Sequence, residues 1–463
     1  MVHIKVTKGL DIPISGKPAG SIQPLTLSGE AKQNKTPKTL SLNLDPFKGI
    51  RFKLLAKRGD RVKIGQPLVE DKLTEGRVFV SPAGGTIAEV RRGLKRRLID
   101  IIIELDSEEQ EINHGSIDVA SASKEQLVDR FLRSGIFTRI RQRPFNLLAD
   151  PAKTPRNIFV KAVESAPFVP PAEMQVEGKE KEFQAGLTAL SKMTDGKVHL
   201  IYRKGTESRA FTEAKDVEKH TGEGPHPLGT HSLHIDRIDP IQGVEDIVWT
   251  LNVHDVVSIG HLLKTGKILT ERVIGIAGPG IISGRTGYFR VREGFPIEAL
   301  ISNRIKEGYV RLISGDPLTG KKVESEDYLG FYHYAFCAIP ESTKREFLHF
   351  FRLGLNKYSY SRAYYSGHID STNKQYDFTT SQHGEHRAFI DPTLYDKIME
   401  LDVPTMQLVK AVMSEDFDMA EELGFLAVDG EDFALPSFVC PSKIDMISII
   451  DDGLKAYATE VLE

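Results

Sequence analysis

The feature that most restricts the fold of this sequence is a change in the spacing of its apolar residues. Residues 1 to about 105 contain short β-branched runs separated by glycine turns such as Arg58-Gly59-Asp60 and Ala83-Gly84-Gly85, a pattern that indicates a small all-β unit. After an acidic linker at 106–112, the apolar period lengthens to about 3.6 residues, which is the period of a helix. The chain therefore begins with a β unit, and helices follow it.

The segment after this linker alternates between strands and helices. Ser123 and Gln126 have the spacing of a capping box, and Gly135 predicts the end of that helix. Farther along, β-branched runs at 157–163 and 198–202 surround a helical pattern. Because strand, helix and strand follow one another, we predict a Rossmann-like α/β domain with a parallel sheet.

The rest of the chain predicts two further units. A helix from 253 to 265 precedes β-branched runs that suggest a compact β-grasp (SLBB-like) domain, and the pattern becomes helical again toward the C-terminus. The predicted fold class is a multidomain α+β protein, in line with roughly 100–200 residues per domain. Its predicted units are 1–110 (barrel-sandwich hybrid β domain), 113–255 (α/β), 256–330 (β-grasp) and 331–463 (a mixed segment, then a C-terminal helical domain).

The amino-acid composition restricts the functional classes to which this protein can belong. The 463 residues include 61 basic and 64 acidic side chains, a formal net charge of −3, so a nucleic acid or an anionic membrane would have to be met by a local surface. The two cysteines, Cys337 and Cys440, exclude a disulfide framework, a four-cysteine zinc site and an iron–sulfur cluster held by four thiolates of this chain. The sequence shows no signal peptide and no apolar run of membrane-spanning length, so we expect a protein of the reducing cytoplasm.

The stretch around Lys72 carries the first functional hypothesis. Gly59 and Gly65 before it, and Ser81-Pro82 after it, resemble the flanks of lipoyl and biotinyl carrier domains, whose modified lysine lies at a hairpin tip. The strand before Lys72 is shorter than in those domains and the far side of the hairpin is longer. We therefore interpret the hairpin as part of a barrel-sandwich scaffold and keep modification of Lys72 as the alternative.

Four histidines, His220, His226, His231 and His234, have spacings that a zinc or iron site could use. The prolines and glycines between them predict a loop rather than a helix face, and strand-like alternation would place His231 opposite His234. We favour hydrogen-bonded histidines near a cleft, with a metal site as the alternative. The glycine-rich turn at 278–284 lacks the following helix that a dinucleotide-binding loop requires.

The segment 139–145 concentrates three guanidiniums beside Phe137 and Phe145. Such a cluster can clamp an anion or stack against a flat ring, and the alternative is a solvated helix end. Near the C-terminus, Cys440-Pro441 resembles the cysteine–proline ending of a ferredoxin-type cluster motif, but it is the single cysteine of that motif in this sequence. One thiolate cannot hold a cluster, so we expect Cys440 to pack in a core.

Motifs spread along the whole chain point to one family. They are Lys8-Gly9-Leu10-Asp11, Phe79-Val80-Ser81-Pro82, Arg91-Arg92-Gly93 with Lys95-Arg96, Arg141 with Arg143-Pro144-Phe145, Gly224-Pro225-His226-Pro227, Gly229-Thr230-His231, Leu312-Ile313-Ser314-Gly315, Leu353-Gly354 with Asn356-Lys357, Glu431-Asp432-Phe433-Ala434-Leu435 and Phe438-Val439-Cys440-Pro441. Together they resemble the NqrA family, the A-type subunits of the sodium-translocating NADH:quinone reductases (Na+-NQR). That family resembles the C subunit of the Rnf complex and the flavin-binding subunit of respiratory complex I, but the flavin and NADH loop and the cluster cysteines of those relatives have no counterpart in this sequence.

The resemblance implies a peripheral subunit that binds no cofactor itself and lies on the cytoplasmic face of the inner (plasma) membrane. It implies five partner subunits, among them a membrane-embedded quinone-reducing subunit, that carry flavins and iron centres and pass electrons from NADH to ubiquinone as Na+ is exported. It also implies an association with ubiquinone. We predict the quinone contacts at Arg141, Arg143, Pro144 and Phe145, because a benzoquinone head needs a flat apolar partner and donors for its carbonyl oxygens.

Two hypotheses from other functional classes stay open at this point. The first is a lipoyl- or biotin-type carrier component, which an increase in intact mass at Lys72 would reveal. The second is a metal-dependent hydrolase that uses the histidines at 220–234, which elemental analysis would reveal.

Overall fold

The computed structural model describes residues 1–27, 38–344, 346–348, 351–369 and 373–462. The strands in these residues are β1 (His3–Lys5), β2 (Ile22–Pro24), β3 (Thr39–Asn43), β4 (Phe52–Leu54), β5 (Arg61–Val62), β6 (Pro67–Asp71), β7 (Val78–Val80), β8 (Gly85–Arg92), β9 (Leu98–Leu105), β10 (Arg141–Arg143), β11 (Leu147–Leu148), β12 (Asn157–Ala162), β13 (Val198–Arg203), β14 (Glu218–Glu223), β15 (Val248–Asn252), β16 (Glu271–Ala277), β17 (Gly287–Arg292), β18 (Val310–Ser314), β19 (Lys321–Val323) and β20 (Ala335–Pro340). The helices are α1 (Lys124–Arg133), α2 (Ala172–Val176), α3 (Glu180–Ser191), α4 (Arg209–Thr212), α5 (His231–Ile238), α6 (Val253–Thr265), α7 (Ile297–Ile301), α8 (Thr393–Asp396), α9 (Thr405–Met413), α10 (Phe417–Glu422), α11 (Ala434–Val439) and α12 (Met446–Leu462).

The β unit near the N-terminus consists of two small sheets. An antiparallel sheet in the order β3-β9-β8-β5 accompanies a three-stranded sheet in the order β4-β6-β7. Apolar side chains of both sheets, among them Phe79 and Ile101, belong to one buried core, which also includes residues of the β16–β20 region. Two short sheets closed over one core form the barrel-sandwich arrangement that the paired turns predict.

The largest sheet has seven strands in the order β1-β14-β13-β12-β15-β10-β11. The strands from β1 to β15 run parallel, and the β10–β11 hairpin adds an antiparallel edge next to β15. The chain moves outward from β12 through β13 to β14 and then places β15 on the other side of β12. The strand order therefore reverses between β12 and β15, and ligands of open α/β sheets bind beyond the carboxyl ends of the strands at such a reversal.

Local signals position the helices of this α/β unit as predicted. The Ser123 hydroxyl accepts a hydrogen bond from the Gln126 amide, and the Gln126 side chain accepts one from the Ser123 amide, so α1 begins with the predicted capping box. Helix α6 ends at Gly266, whose φ of 75° is a left-handed conformation that glycine adopts without strain. These ends fix the directions in which the helices pack on the sheet.

The third sheet has six strands in the order β19-β18-β20-β16-β17-β2. Its strand β20 lies between β18 and β16 and ends at Pro340, whereas we placed the end of the β-grasp unit at residue 330. The first two strands of the chain also lie outside the barrel-sandwich unit, because β1 pairs with β14 and β2 pairs with β17. The N-terminal residues thus connect the other two sheets.

Helices α8 to α12 pack against the α/β unit rather than forming a separate core. Buried residues of these helices, such as Leu408 and Leu454, share one core with Phe145 and with Leu228 in the loop that precedes α5. Cys440 is fully buried in this core, and its Sγ atom lies 3.1 Å from the hydroxyl of Tyr395. The structure therefore gives Cys440 the packing position that we expected.

Candidate functional site at the edge of the parallel sheet

A polar cavity of about 320 Å³ lies at the strand reversal of the seven-stranded sheet, and we call it the sheet-edge cavity. Lys161 and Asn252 line it from the ends of β12 and β15, Tyr332 lines it from the segment before β20, and Glu431 lines it from the C-terminal region. The cavity is therefore built by three parts of the fold that are distant in sequence. Its volume falls within the range of about 300–1,000 Å³ that small-molecule sites occupy.

A second cavity of about 400 Å³ adjoins the first, and we call it the barrel-side cavity because residues of the barrel-sandwich unit such as Phe47 line it. Arg141, Asn146, His333 and Asp429 line both cavities. A side chain at these positions can therefore contact a ligand in either space.

The predicted quinone contacts occupy strand β10, which lies between β15 and the edge strand β11, and the turn after it, not a solvated helix end. Arg143 is 2% exposed, which excludes the solvated alternative for this residue. Phe145 and Asn146 have positive φ values of 70° and 49°. The turn places Phe145 in the barrel-side cavity and Arg143 in the sheet-edge cavity, whereas Pro144 is buried and lines neither of the two.

The Arg143 guanidinium connects the sheet to the C-terminal region. Its Nη1 atom donates to the Val428 carbonyl at 3.0 Å, its Nη2 atom donates to the Ser232 hydroxyl at 2.8 Å, and Nη2 lies 3.3 Å from an Asp429 carboxylate oxygen. Buried donors need such partners, since an unpaired one loses its hydration without compensation. The guanidinium of Arg143 is thus bound by groups of the protein itself.

Arg141 differs from Arg143 because its side chain is only partly buried and lines both cavities. The Nε and Nη2 atoms donate to the side chain and carbonyl of Asn146, and the guanidinium lies 5.4 Å from the centre of the Tyr332 ring. The guanidinium also forms a hydrogen bond with the Tyr332 hydroxyl, which opposes the rise that burial causes in the pKa of Tyr332. Of the four predicted contacts, Arg141 is the one that offers a charged donor to a ligand.

A largely buried group of charged side chains at the end of β12 can exchange protons with a ligand in the sheet-edge cavity. The Lys161 ammonium lies 3.1 Å from a Glu164 carboxylate oxygen. Burial opposes the charge of Lys161, but Glu164 and Glu431 outweigh this effect and raise the pKa of Lys161. Burial also raises the pKa of Glu431 to about 7, although Lys161 opposes that shift. A carboxyl group with this pKa can release or take up a proton at neutral pH.

A second charged group lies behind the cavity and centres on Glu293. Its carboxylate lies 2.6 Å from Arg139 and 2.8 Å from Arg272, and the His254 ring nitrogen is 3.5 Å away. Burial would raise the pKa of Glu293, but the two guanidiniums outweigh burial and hold it well below its usual value. Arg139 lines the cavity, so this group fixes one wall of the candidate site.

Comparison with protein families covers three parts of the chain. The model of the NqrA N-terminal barrel-sandwich hybrid domain matches residues 4–106, the model of the NqrA second alpha/beta domain matches 122–268, and the model of the NQRA C-terminal domain, of SLBB type, matches 273–325. These matches confirm the predicted fold class.

Curated relatives match nearly the whole length. The NqrA protein of Chlamydia caviae, which belongs to a Na(+)-translocating NADH-quinone reductase, is 37% identical over 471 aligned positions, which cover 99% of this chain and 97% of the relative. The proteins of the same name from Saccharophagus degradans and Pseudomonas aeruginosa are 34% and 35% identical, and each alignment covers 97% of this chain and 98% of the relative. The chain belongs to the NqrA family. This confirms the resemblance that the sequence motifs suggested.

Solved structures resemble this NqrA-family chain only distantly. A chain from the crystal structure of an air-oxidized NAD+-reducing NiFe hydrogenase has a TM-score of 0.37 and 10% identity, with 80% of this chain and 83% of that chain covered. A similarity at this level carries no functional information. Among the helices that the structure describes, none combines the length and the apolar character needed to cross a membrane.

In this NqrA-family structure, His226 and His231 of the predicted metal site line the sheet-edge cavity, whereas His220 and His234 do not. His231 and His234 lie on helix α5 rather than in the predicted loop, and their ring centres are 6.4 Å apart. The turns that the prolines and glycines predict end at Thr230, which precedes the helix. His226 lines the sheet-edge cavity and contacts the Ser165 hydroxyl at 2.9 Å, so a hydrogen-bonded histidine near a cleft is present.

The fourth histidine, His220, lies elsewhere, on strand β14. Its Nε2 atom is 3.0 Å from Nδ1 of His199, and its own Nδ1 atom accepts a hydrogen bond from the Val2 amide. With Glu218 these two rings form a group of three possible metal ligands in the described part of the chain. An Nδ1 that accepts a hydrogen bond requires the proton on Nε2, so this arrangement is a hydrogen-bonded histidine pair rather than a prepared metal site.

Lys72 lies in the exposed turn between β6 and β7 of the barrel-sandwich unit. The turn is fixed at its base, because Asp71 and Arg77 form a buried ion pair of 3.1 Å and Arg77 also donates to the Ala149 carbonyl at 2.6 Å. The family matches cover this unit as part of an NqrA chain. They favour the scaffold interpretation over a carrier domain.

The sequence motifs did not single out Lys161 and Glu164 as site residues. A signal for Lys161 exists, because it interrupts an otherwise apolar strand that is buried on both faces, where an unpaired charge is rare. Glu431 belongs to a motif that carried the family resemblance, but only the folded chain brings it next to Lys161.

Proposed function

We propose that this chain is the peripheral NqrA component of a Na+-translocating NADH-quinone reductase, a translocase, and that the isolated chain performs no redox chemistry. The observation that carries the proposal is the similarity to NqrA proteins of such complexes over nearly the whole length of both chains, at 33–37% identity. A match to one domain would support only a shared fold. A match of every domain in the same order supports a shared place in a complex.

The proposal assigns the electron carriers to partner subunits. Five other subunits, among them a membrane-embedded one that reduces quinone, would hold the flavins and iron centres that receive electrons from NADH. This chain would lie on the cytoplasmic face of the inner (plasma) membrane and bind no cofactor of its own. Support comes from the two cysteines of the sequence, both recorded as free and buried, because four thiolates are the usual ligands of an iron–sulfur cluster.

For ubiquinone we propose the sheet-edge cavity as the binding site of the head group. Arg141 and Lys161 would donate hydrogen bonds to the carbonyl oxygens of the ring, and Tyr332 would pack against its face. Arg143 would act as a positioning residue that fixes β10. Phe145, whose ring packs at 5.7 Å against Tyr457 in an edge-to-face arrangement, would support the turn after β10 from the barrel-side cavity.

In the proposal, Glu431 adds proton donation to the binding of the quinone head group. Reduction of a quinone to a quinol takes up two electrons and two protons, and partner subunits would supply the electrons. A carboxyl group with a pKa of about 7 beside Lys161 would supply one of these protons as negative charge develops on a carbonyl oxygen, and water that enters the cavity would supply the other.

The assignment to the reductase complex is tested by activity in membranes that contain the complex with and without this chain. We expect the sodium-stimulated part of NADH:quinone reductase activity to disappear without the chain and to return when the chain is supplied on a plasmid. NADH oxidation that does not depend on sodium serves as the internal control. Unchanged sodium-stimulated activity without the chain would contradict the assignment.

The quinone site is tested by the substitution Arg141→Gln. We expect about tenfold weaker binding of a short-chain ubiquinone analogue, because a hydrogen bond from a charged group contributes roughly 1.5 kcal/mol or more. The measurement is isothermal titration calorimetry on the complex. Arg209→Gln is the matched control, since its side chain is 86% exposed and lies outside both cavities. Equal affinities of Arg141→Gln and wild type would remove this cavity from the proposal and leave the assignment to the reductase complex intact.

A further inference from the structure

A short apolar loop projects from the region between β20 and α8. Phe347, Phe351 and Leu353 are 79%, 83% and 67% exposed, and Leu348 and Leu355 are about half exposed. Large apolar side chains exposed next to one another on a soluble surface mark a contact site. We call residues 346–348 and 351–355 the apolar loop.

The base of the apolar loop is attached to the body of the protein. The Lys357 ammonium lies 2.7 Å from a Glu346 carboxylate oxygen, which closes the loop at its two ends. Next to this ion pair, the Tyr358 ring packs at 5.9 Å against Phe438 and at 5.7 Å against Phe378. The apolar side chains therefore project from a base that is packed and ion-paired.

The surroundings of the apolar loop are basic. The described residues from 341 to 369 include four lysines and arginines against two glutamates, and both glutamates form ion pairs, Glu341 with Arg311 at 2.7 Å and Glu346 with Lys357. For Lys344 and Arg362 no carboxylate partner is recorded within the described residues. The residues that border the apolar loop thus carry a local positive charge on a protein whose formal net charge is −3.

We propose that the apolar loop inserts into the interface of an anionic lipid bilayer, with Phe347, Phe351 and Leu353 among the acyl chains and Lys344 and Arg362 at the phosphate groups. Protruding aromatic and aliphatic side chains bordered by lysine and arginine are typical of segments that bind a membrane surface. The described helices offer no membrane-spanning segment, so an interfacial contact would supply attachment by another route.

A lipid surface fits these residues better than a protein partner does. The cores of protein interfaces contain few charged residues and little lysine, whereas Lys344 and Arg362 border these apolar side chains and would pair with lipid phosphate groups. The proposal uses the proposed function only to place the protein beside a membrane. Its test uses the purified full-length chain and vesicles, so its failure and the failure of the assignment to the reductase complex are distinguishable.

The test is co-sedimentation with vesicles of phosphatidylcholine alone and of phosphatidylcholine mixed with phosphatidylglycerol. We expect binding to the mixed vesicles, weaker binding at high salt because the phosphate contacts are screened, and at least about tenfold weaker binding of the Phe347→Ser/Phe351→Ser variant, which loses two insertable aromatic rings. The matched control is Leu73→Ser/Leu94→Ser, two similarly exposed apolar residues of the barrel-sandwich unit, and this variant should bind as wild type does.

Three outcomes would overturn the proposal. The first is a wild-type chain that binds neither kind of vesicle, and the second is an equal loss of binding in the loop variant and in the control. The third is a loop variant that binds vesicles as wild type does but no longer co-purifies with the complex, which would assign the loop to a protein partner. Circular dichroism of both variants confirms that each is folded, as expected for substitutions of exposed side chains.

Discussion

Arg143→Ala is expected to lower the free energy of unfolding by about 3–5 kcal/mol, because removing one partner of a buried ion pair leaves the other charge without compensation. The guanidinium is 2% exposed and holds Val428, Ser232 and Asp429 together. Without it, the Asp429 carboxylate stays buried near the sheet, and the link between β10 and the C-terminal region is lost. Denaturation by urea, followed by circular dichroism, measures the change.

The control for this prediction is Arg141→Ala in the same strand. Arg141 bonds to Asn146 within its own turn, so we expect a change of about 1 kcal/mol or less. Limited proteolysis adds a second measurement, because loss of the Arg143 contacts should expose the region after residue 428 first. Equal stabilities of the two variants would mean that Arg143 does not hold the C-terminal region on the sheet.

The substitution Glu293→Gln has the second large expected effect, a loss of about 3–5 kcal/mol in unfolding free energy. The carboxylate is the shared partner of Arg139 and Arg272 and lies near His254. Glutamine keeps the shape of the side chain but removes its charge. Arg272 then loses its one recorded ion pair in the described structure, and Arg139 keeps only Asp255, at 3.7 Å.

Glu109→Gln is the matched control for Glu293→Gln. Glu109 pairs with Arg292, but both side chains are 22% exposed, and water compensates a lost partner there. We expect a change of about 1 kcal/mol or less. Thermal unfolding of the two variants beside wild type measures the difference, and a Glu293→Gln protein as stable as the control would contradict the buried network as a determinant of stability.

Both predictions concern contacts that fix residues lining the sheet-edge cavity. Arg143 holds the C-terminal region on the sheet, and Glu293 holds Arg139, which also lines the sheet-edge cavity. We expect the cavity to lose its shape when either contact is removed, because its walls come from separate parts of the fold. Quinone affinity in either variant should therefore fall together with stability, whereas Arg141→Gln should change affinity alone.

The sequence predicted helices α1, α3 and α6 and strands β12 and β13 of the α/β unit, but it did not predict strands β10, β11, β14 and β15. The capping box at Ser123 and the helix end at Gly266 depend on hydrogen bonds within one turn, so a short stretch of sequence contains all the information they need. The interpretation of His231 and His234 as loop residues was wrong. The turn signals before them are real, but they end at Thr230, and helix α5 begins directly afterwards.

The segment 139–145 shows why a cluster read from sequence is ambiguous. Three arginines in seven residues are compatible with a solvated surface. In the structure, however, each of the three arginines has a different environment. Arg139 joins the Glu293 network, Arg141 faces both cavities and Arg143 is buried against Asp429. Burial and partners decide these roles, and neither can be read from the order of residues alone.

The sequence by itself determined the order of the units, the family and the local starts and ends of the predicted helices, because these depend on periodicity, turn residues and motifs within short stretches. Only the tertiary structure decided that Lys161, Arg141 and Glu431 line one cavity. They lie on the central strand β12, on strand β10 next to the sheet edge and on a C-terminal segment, and they meet because the strand order reverses next to β12 while the C-terminal helices pack on the same core. The pKa of Glu431 depends on that meeting, since burial raises it while the nearby charges of Lys161 and Arg143 oppose the shift.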